Sequence, residues 1–199
     1  MTQLVFNEIM IDLETLGTKP GSAIVSIGAC AWSQDHDEIG PTFYTNVNAK
    51  SCQQAGLTLD AETVLFWMKQ NEQARAALTT GSALPLAVAL EQLTAFVVSV
   101  RQALPGRKDL GIWGNDNTFD IVLTEAAYDT VDKVYPWNFW ESRSVRTHVA
   151  HGRRLGFDPK KDMPREGTYH NALDDAIHQA KYCRAISRLL FPKATAKAA

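Results

Sequence analysis

Two apolar runs rich in β-branched residues, LVFNEIMID (4–12) and AIVSIGACAW (23–32), flank a short stretch holding Gly17, Pro20 and Gly21. A parallel pair of strands needs a crossover of a dozen or more residues, and this connection is too short for one. The two runs are therefore predicted to be neighbouring antiparallel strands joined by a tight turn. TFYTNVN (42–48) alternates polar and apolar residues and predicts a third, more exposed strand.

Beyond residue 48 the pattern turns helical. Asp60 is an expected N-cap, followed by Ala61, Val64, Leu65 and Met68 at helical spacing. Pro85 suits the first turn of a long helix towards Arg101, with Leu86, Leu90, Leu93 and Val97 on one face. DLGIWG (109–114) reads as a short buried strand and FDIVLTEAAY (119–128) as a helix. WESRSVRTHV (140–149) passes from a fifth strand or loop into another helix, and a last helix runs from near Asn171 to about Leu190. The result is an α/β fold with a mixed five-stranded sheet flanked by helices. It is expected as one domain over residues 1–191, with 192–199 a flexible, low-complexity tail.

Several classes are excluded. A formal charge of −2 over 199 residues argues against coating a nucleic acid by charge alone, although local basic patches remain open. Three cysteines with no CxxC pair form neither a disulfide framework nor a zinc site. No run approaches the ~20 apolar residues of a membrane helix, and the N-terminus lacks a signal-peptide pattern. A soluble cytoplasmic protein, in a bacterial or phage-infected cell, is the expectation.

The acids carry the chemistry. Acid-x-acid spacing occurs three times (Asp12/Glu14, Asp35/Asp37, Asp60/Glu62), close to the ~2 expected by chance among 22 acids, so spacing alone says nothing. Context separates them. Asp35 and Asp37 lie in the polar stretch SQDHDEIG, and Asp60 and Glu62 start a helix, where acids suit the dipole. Only Asp12 and Glu14 extend a buried strand, where residues two apart share a face. Two like charges aimed at one spot repel, and a divalent cation relieves that repulsion.

Asp120 follows an apolar strand and a turn in IWGNDNTFD, where it is either a first-turn acid or part of the same site. Asp116 lies within that turn and is expected to be solvated. In TYHNALDDAIHQA, His170 precedes the last helix and Asp175 follows five residues later, with the adjacent Asp174 suited to the helix dipole.

These segments together resemble a known family. IDLETLG, the FD of WGNDNTFD, and HNALDD resemble the three motifs of the DEDD 3′-to-5′ exonucleases, which have a ribonuclease H-like fold. His170 places the resemblance in the histidine branch, because Tyr169 is followed at Tyr-x3-Asp spacing by Leu173. MIDLETLGTKPGSAIVSIGA, GLTLDAETVLFW and PWNFWESRSVRT further resemble the phage-type branch related to exodeoxyribonuclease VIII and to bacterial 3′-to-5′ exoribonucleases. Asp116 departs from that branch, which often has glycine after WGN.

The resemblance implies a metal-dependent hydrolase of phosphodiester bonds acting at 3′ ends. Asp12, Glu14, Asp120 and Asp175 would hold two divalent ions, Mg²⁺ or Mn²⁺, the hard cations that oxygen ligands suit. Asp12, Glu14 and Asp175 would share the water-activating ion, and Asp120 would help with the second. His170 would be the general base. Thr15 and Leu16, just after the first motif, would wedge against the terminal nucleotide, and Trp67 would either stack on it or sit in the core. From Arg143 to Arg165, seven Lys and Arg face two acids, a block that would either grip substrate phosphates or form a solvated face. Trp137 and Trp140 stay undecided in the same way. The expected partner is a single-stranded 3′ end, DNA modestly ahead of RNA, with a homodimer reasonable for so short an enzyme. A non-catalytic nucleic-acid-binding module on the same fold is the competing class.

Overall fold

The computed structural model describes residues 4–106 and 110–192. Its centre is β1 (Glu8–Thr15) between β2 (Ile24–Trp32) and β4 (Gly111–Gly114), with β3 (Thr42–Asn46) and β5 (Ser142–Ser144) at the edges. The order is β3-β2-β1-β4-β5. β1, β2 and β3 are antiparallel neighbours, whereas β4 and β5 run parallel to β1. The sheet is mixed and five-stranded, as the sequence pattern predicts.

β1 and β2 are buried along their whole length, which is why both lack polar alternation: helices cover both faces. Ile9, Ile11 and Leu13 face one core, with Leu86, Leu90, Leu93 and Val97 of α4 (Leu86–Gln102) and Leu123 and Tyr128 of α5 (Val122–Thr130). Met10 faces the other with Trp113, Val145 of α6 (Val145–Arg154), and Ala176, Ala180 and Cys183 of α8 (Ala172–Leu190). Asp12 and Glu14 continue the Met10 face, so the strand delivers both carboxylates beneath α8.

The caps follow sequence chemistry. Asp60 accepts from the Thr63 amide at 3.0 Å and starts α2 (Ala61–Met68). Asn171 accepts from the Leu173 and Asp174 amides, both at 3.1 Å, and starts α8.

Several expectations shift. β1 begins four residues later than predicted and runs on to Thr15, so both acids lie inside the ladder; β2 carries an extra residue opposite Glu14 and Thr15, a bulge beside the site. On α2 the predicted face is not the buried one: Leu65, Phe66 and Met68 are exposed while Trp67 is buried. The helices α1 (Ala49–Gln54), α3 (Glu72–Thr79) and α7 (Pro159–Asp162) were not expected from periodicity. Asp109, placed in the fourth strand by the sequence pattern, lies outside the described residues, as does the tail beyond Pro192.

The aromatic stretch after α5 divides. Trp137 is core, its ring 6.0 Å from that of Tyr128 and its Nε1 donating to Glu125 Oε1 at 2.9 Å. Phe139 and Trp140 are exposed and pack edge-to-face on each other at 5.0 Å. The buried Glu141 then locks the segment down, accepting a bidentate pair from Arg101 at 2.7 and 2.9 Å. Among the described residues no helix is long and apolar enough to cross a membrane.

Candidate active site

Three elements converge at the C-terminal end of β1. The strand brings Asp12 and Glu14, and α8 brings Asp175 in its first turn. Asp120 comes from a π-helical turn, Asn117–Ile121, between β4 and α5. Such turns add a residue to the helical repeat and recur at functional sites. Here the turn aims Asp120 back at the strand end, where its Oδ2 accepts from the Asp116 amide at 3.2 Å.

Asp12, Glu14 and Asp175 each offer an oxygen, and these oxygens lie within 4.8 Å of one another. Among the described residues no other three His, Cys, Asp or Glu side chains converge in this way. The surrounding cleft measures about 300 Å³ and is also lined by Asn115, Asp116, Phe119, Asp120, Arg146, His170 and Gln179. A larger hollow of about 560 Å³, between Gln34 and Arg188 at the far end of α8, gathers no such set.

Burial and repulsion from neighbouring acids make Asp12, Glu14 and Asp120 costly to ionise. Asp12 is raised well above the usual carboxylate range, first by desolvation and then by the charges of Asp120, Glu14 and Asp175. Glu14 is pushed up to about 8 by desolvation and by Asp175 and Asp120, against the opposing charge of Arg165. Burial pushes Asp120 up to about 7 despite backbone hydrogen bonds led by the Asp116 amide. An all-oxygen, acid-rich set that repels itself fits a hard divalent cation, which would supply the missing charge.

His170 is reached through a loop bound to α8. Arg165 pairs with Asp175 at 2.5 Å, the Thr168 amide donates to Asp174 at 2.7 Å, and Lys181 pairs with Glu166. His170 itself takes a left-handed backbone (φ 61°), uncommon for a residue with a side chain and frequent at functional sites. Its ring is flanked edge-on by Phe66 at 5.4 Å and Trp67 at 5.8 Å.

The expected site residues divide. Asp12, Glu14, Asp120, His170 and Asp175 share the cleft wall; Thr15, Leu16 and Trp67 do not. Trp67 is only 3% exposed, so it offers no open stacking face. Its Nε1 instead donates to the Thr15 carbonyl at 2.8 Å, tying α2 to the end of β1. Phe66, 42% exposed and beside His170, holds the accessible ring. Asp116 is no solvated bystander: it caps the π turn through Thr118 and pairs with Arg146 at 3.3 Å. Of the basic block, Arg146 and Arg165 reach the acids. Sequence reasoning missed Gln179, which lies one helical turn after Asp175 on α8 and reaches Asp12 only through the fold.

The sequence matches the family model described as the 3′-5′ exoribonuclease Rv2179c-like domain over residues 7–187. The chain belongs to that family. No curated protein matches it significantly. Among solved structures, this Rv2179c-like chain resembles cell-death related nuclease 4 (CRN-4) with a TM-score of 0.63 and 14% identity, covering 91% of this chain and 64% of that one. The nuclease domain of 3′hExo, a DEDDh family member bound to rAMP, matches at 0.52 and 16%, covering 95% and 94%. A 3′-exonuclease solved in recognition of the histone mRNA stem-loop matches at 0.53 and 15%, covering 94% and 84%. At these identities the likeness establishes the fold, the ribonuclease H-like architecture of DEDDh exonucleases. The Rv2179c-like chain spans just under two thirds of the CRN-4 chain.

Proposed function

We propose that this chain is a divalent-metal-dependent 3′-to-5′ exonuclease that removes nucleotides from single-stranded 3′ ends. One observation carries the reading: the convergence of Asp12, Glu14 and Asp175 within 4.8 Å, in one cleft with Asp120 and His170. Asp12, Glu14 and Asp175 would hold one Mg²⁺ or Mn²⁺, with Asp120 beside Asp12 completing a set for two. When bound, such ions activate water and neutralise charge on the leaving oxygen.

The protein's own groups do the remainder. His170, on the cleft wall, takes the proton from the attacking water, and the edges of Phe66 and Trp67 restrict how its ring turns. Arg146, at the rim, offers a guanidinium to a substrate phosphate. Phe66 offers the terminal base an apolar face beside the base catalyst. Thr15 and Leu16 act from behind, by holding the strand end that presents Glu14.

For the sugar, RNA goes ahead of the DNA that the phage-type resemblance suggested, because the matching family is described as exoribonuclease. The non-catalytic module loses ground because all five groups of the expected set are present.

The test uses one sequence as 5′-labelled single-stranded RNA and DNA, incubated with Mg²⁺, Mn²⁺ or EDTA. A metal-dependent ladder shortening from the 3′ end, lost in Asp175→Ala and reduced ~10²–10⁴-fold in His170→Ala, is expected. Intact strands under every condition would leave only the binding module.

A further inference from the structure

Gln179 belongs to no motif of the resemblance, yet it is the residue that touches Asp12. It is 6% exposed, sits one turn beyond Asp175 on α8, and donates from Nε2 to Asp12 Oδ1 at 2.7 Å. A cation in the cleft would hold Asp12 ionised, and an ionised carboxylate only accepts, so in that state the NH₂ faces it. That leaves Oε1 inside the wall of the acid cleft, where it is buried and has no hydrogen-bond partner. A buried carbonyl oxygen without a partner costs stability, and native folds rarely leave one unless something fills the gap.

We propose that Gln179 is a positioning residue of the metal site. It pins the Asp12 carboxylate through Oδ1 and so holds that acid in one orientation for a cation. The proposal rests on the reading of the acids as a metal site. A neutral amide suits this place. It fixes the most crowded acid without adding a negative charge, and without setting a permanent cation where a metal must enter. Groups that orient metal ligands typically change affinity by ~10–100-fold when removed.

The test is Mn²⁺ binding to the full chain without nucleic acid, followed by electron paramagnetic resonance. Gln179→Met keeps the length and removes the amide, and Gln179→Asn keeps the amide and withdraws it by one methylene. Both are expected to bind Mn²⁺ ~10–100-fold more weakly, with unchanged far-ultraviolet circular dichroism. Ser187→Ala is the control for general disturbance of α8, because Ser187 is as buried but bonds to His148 instead. It should bind as the wild type does. A folded variant at position 179 with wild-type Mn²⁺ affinity overturns the proposal, as does an equal loss in Ser187→Ala. Cleavage is scored separately. Wild-type protein whose Mn²⁺ affinity depends on Gln179, yet which leaves single strands intact, would uphold the role and defeat the nuclease reading.

Discussion

Gly28 stands directly opposite Asp12 in the β1–β2 ladder, and the first turn of α8 rests on it. A Cβ at Gly28 would run into the backbone of Ala172 and Leu173. The absent side chain thus sets how closely Asp175 approaches Asp12. Gly28→Ala must push α8 outward, because backbone lies on the other side and cannot yield as a side chain would. We expect a loss of about 1–3 kcal/mol in stability, typical of overpacking. Activity should fall more than ~10-fold even well below the melting temperature, since small misplacements of catalytic groups are costly. Full activity with normal stability would show that α8 is not seated by this contact.

Metal binding and pH are tied by sign. Asp12, Glu14 and Asp120 all have raised pKa values in the folded chain, Glu14 to about 8 and Asp120 to about 7. In the unfolded chain they would titrate near ~4. Between those limits the metal-free folded state holds more protons than the unfolded state, so its stability falls as pH rises from ~4 to ~8. A cation binds the ionised forms and must release those protons. The melting temperature of EDTA-treated protein is therefore expected to drop between pH 5.5 and 8.5. The increase given by Mg²⁺ should be larger at pH 8.5. An equal Mg²⁺ effect at both pH values would contradict this assignment.

Where local rules act alone, sequence and structure agree. Asp60 caps the helix it was expected to cap, the last helix starts at Asn171 as expected, and the α4 stripe from Leu86 to Val97 is buried as its spacing demands. Disagreement appears where distant packing decides. Nothing around Asp120 announces a π turn rather than an ordinary first turn. Helices as short as α1 and α7 carry too few residues for a period to show. Gln179 lies 167 positions from the aspartate it holds, and no local pattern reports such a bond. The acids were legible because their repulsion makes sense only at a shared site.

Trp67 and Phe66 are adjacent, and their roles are expected to separate in kinetics. Phe66→Ala removes the accessible ring beside His170 and should raise KM for a single strand ~5–150-fold, in line with ~1–3 kcal/mol for stacking on a base. Trp67→Phe keeps an apolar core but deletes the bond to the Thr15 carbonyl. Its effect should fall on stability, by about 1 kcal/mol, and on kcat through the position of Glu14, with little change in KM. A KM effect confined to Trp67→Phe would reverse the assignment and restore the tryptophan as the platform.

Arg146 and Asp116 form the charged rim of the cleft, paired at 3.3 Å, with the arginine side chain 69% accessible and the aspartate side chain 24%. Exposed pairs contribute little to stability, so Arg146→Ala should leave the melting temperature within a degree or so. Its effect should appear in substrate binding instead. Measured with Ca²⁺, or with Asp175→Ala protein so that no cleavage intervenes, loss of one phosphate contact lowers the salt dependence of log Kd by roughly 0.7 for a single strand. Asp116→Asn should act in the opposite sense, tightening binding at low salt, because it frees Arg146 from a competing carboxylate and removes a negative charge beside the phosphate path. Equal salt dependence in wild type and Arg146→Ala would place the phosphate contacts elsewhere in the basic block, with Arg165 next to be tested.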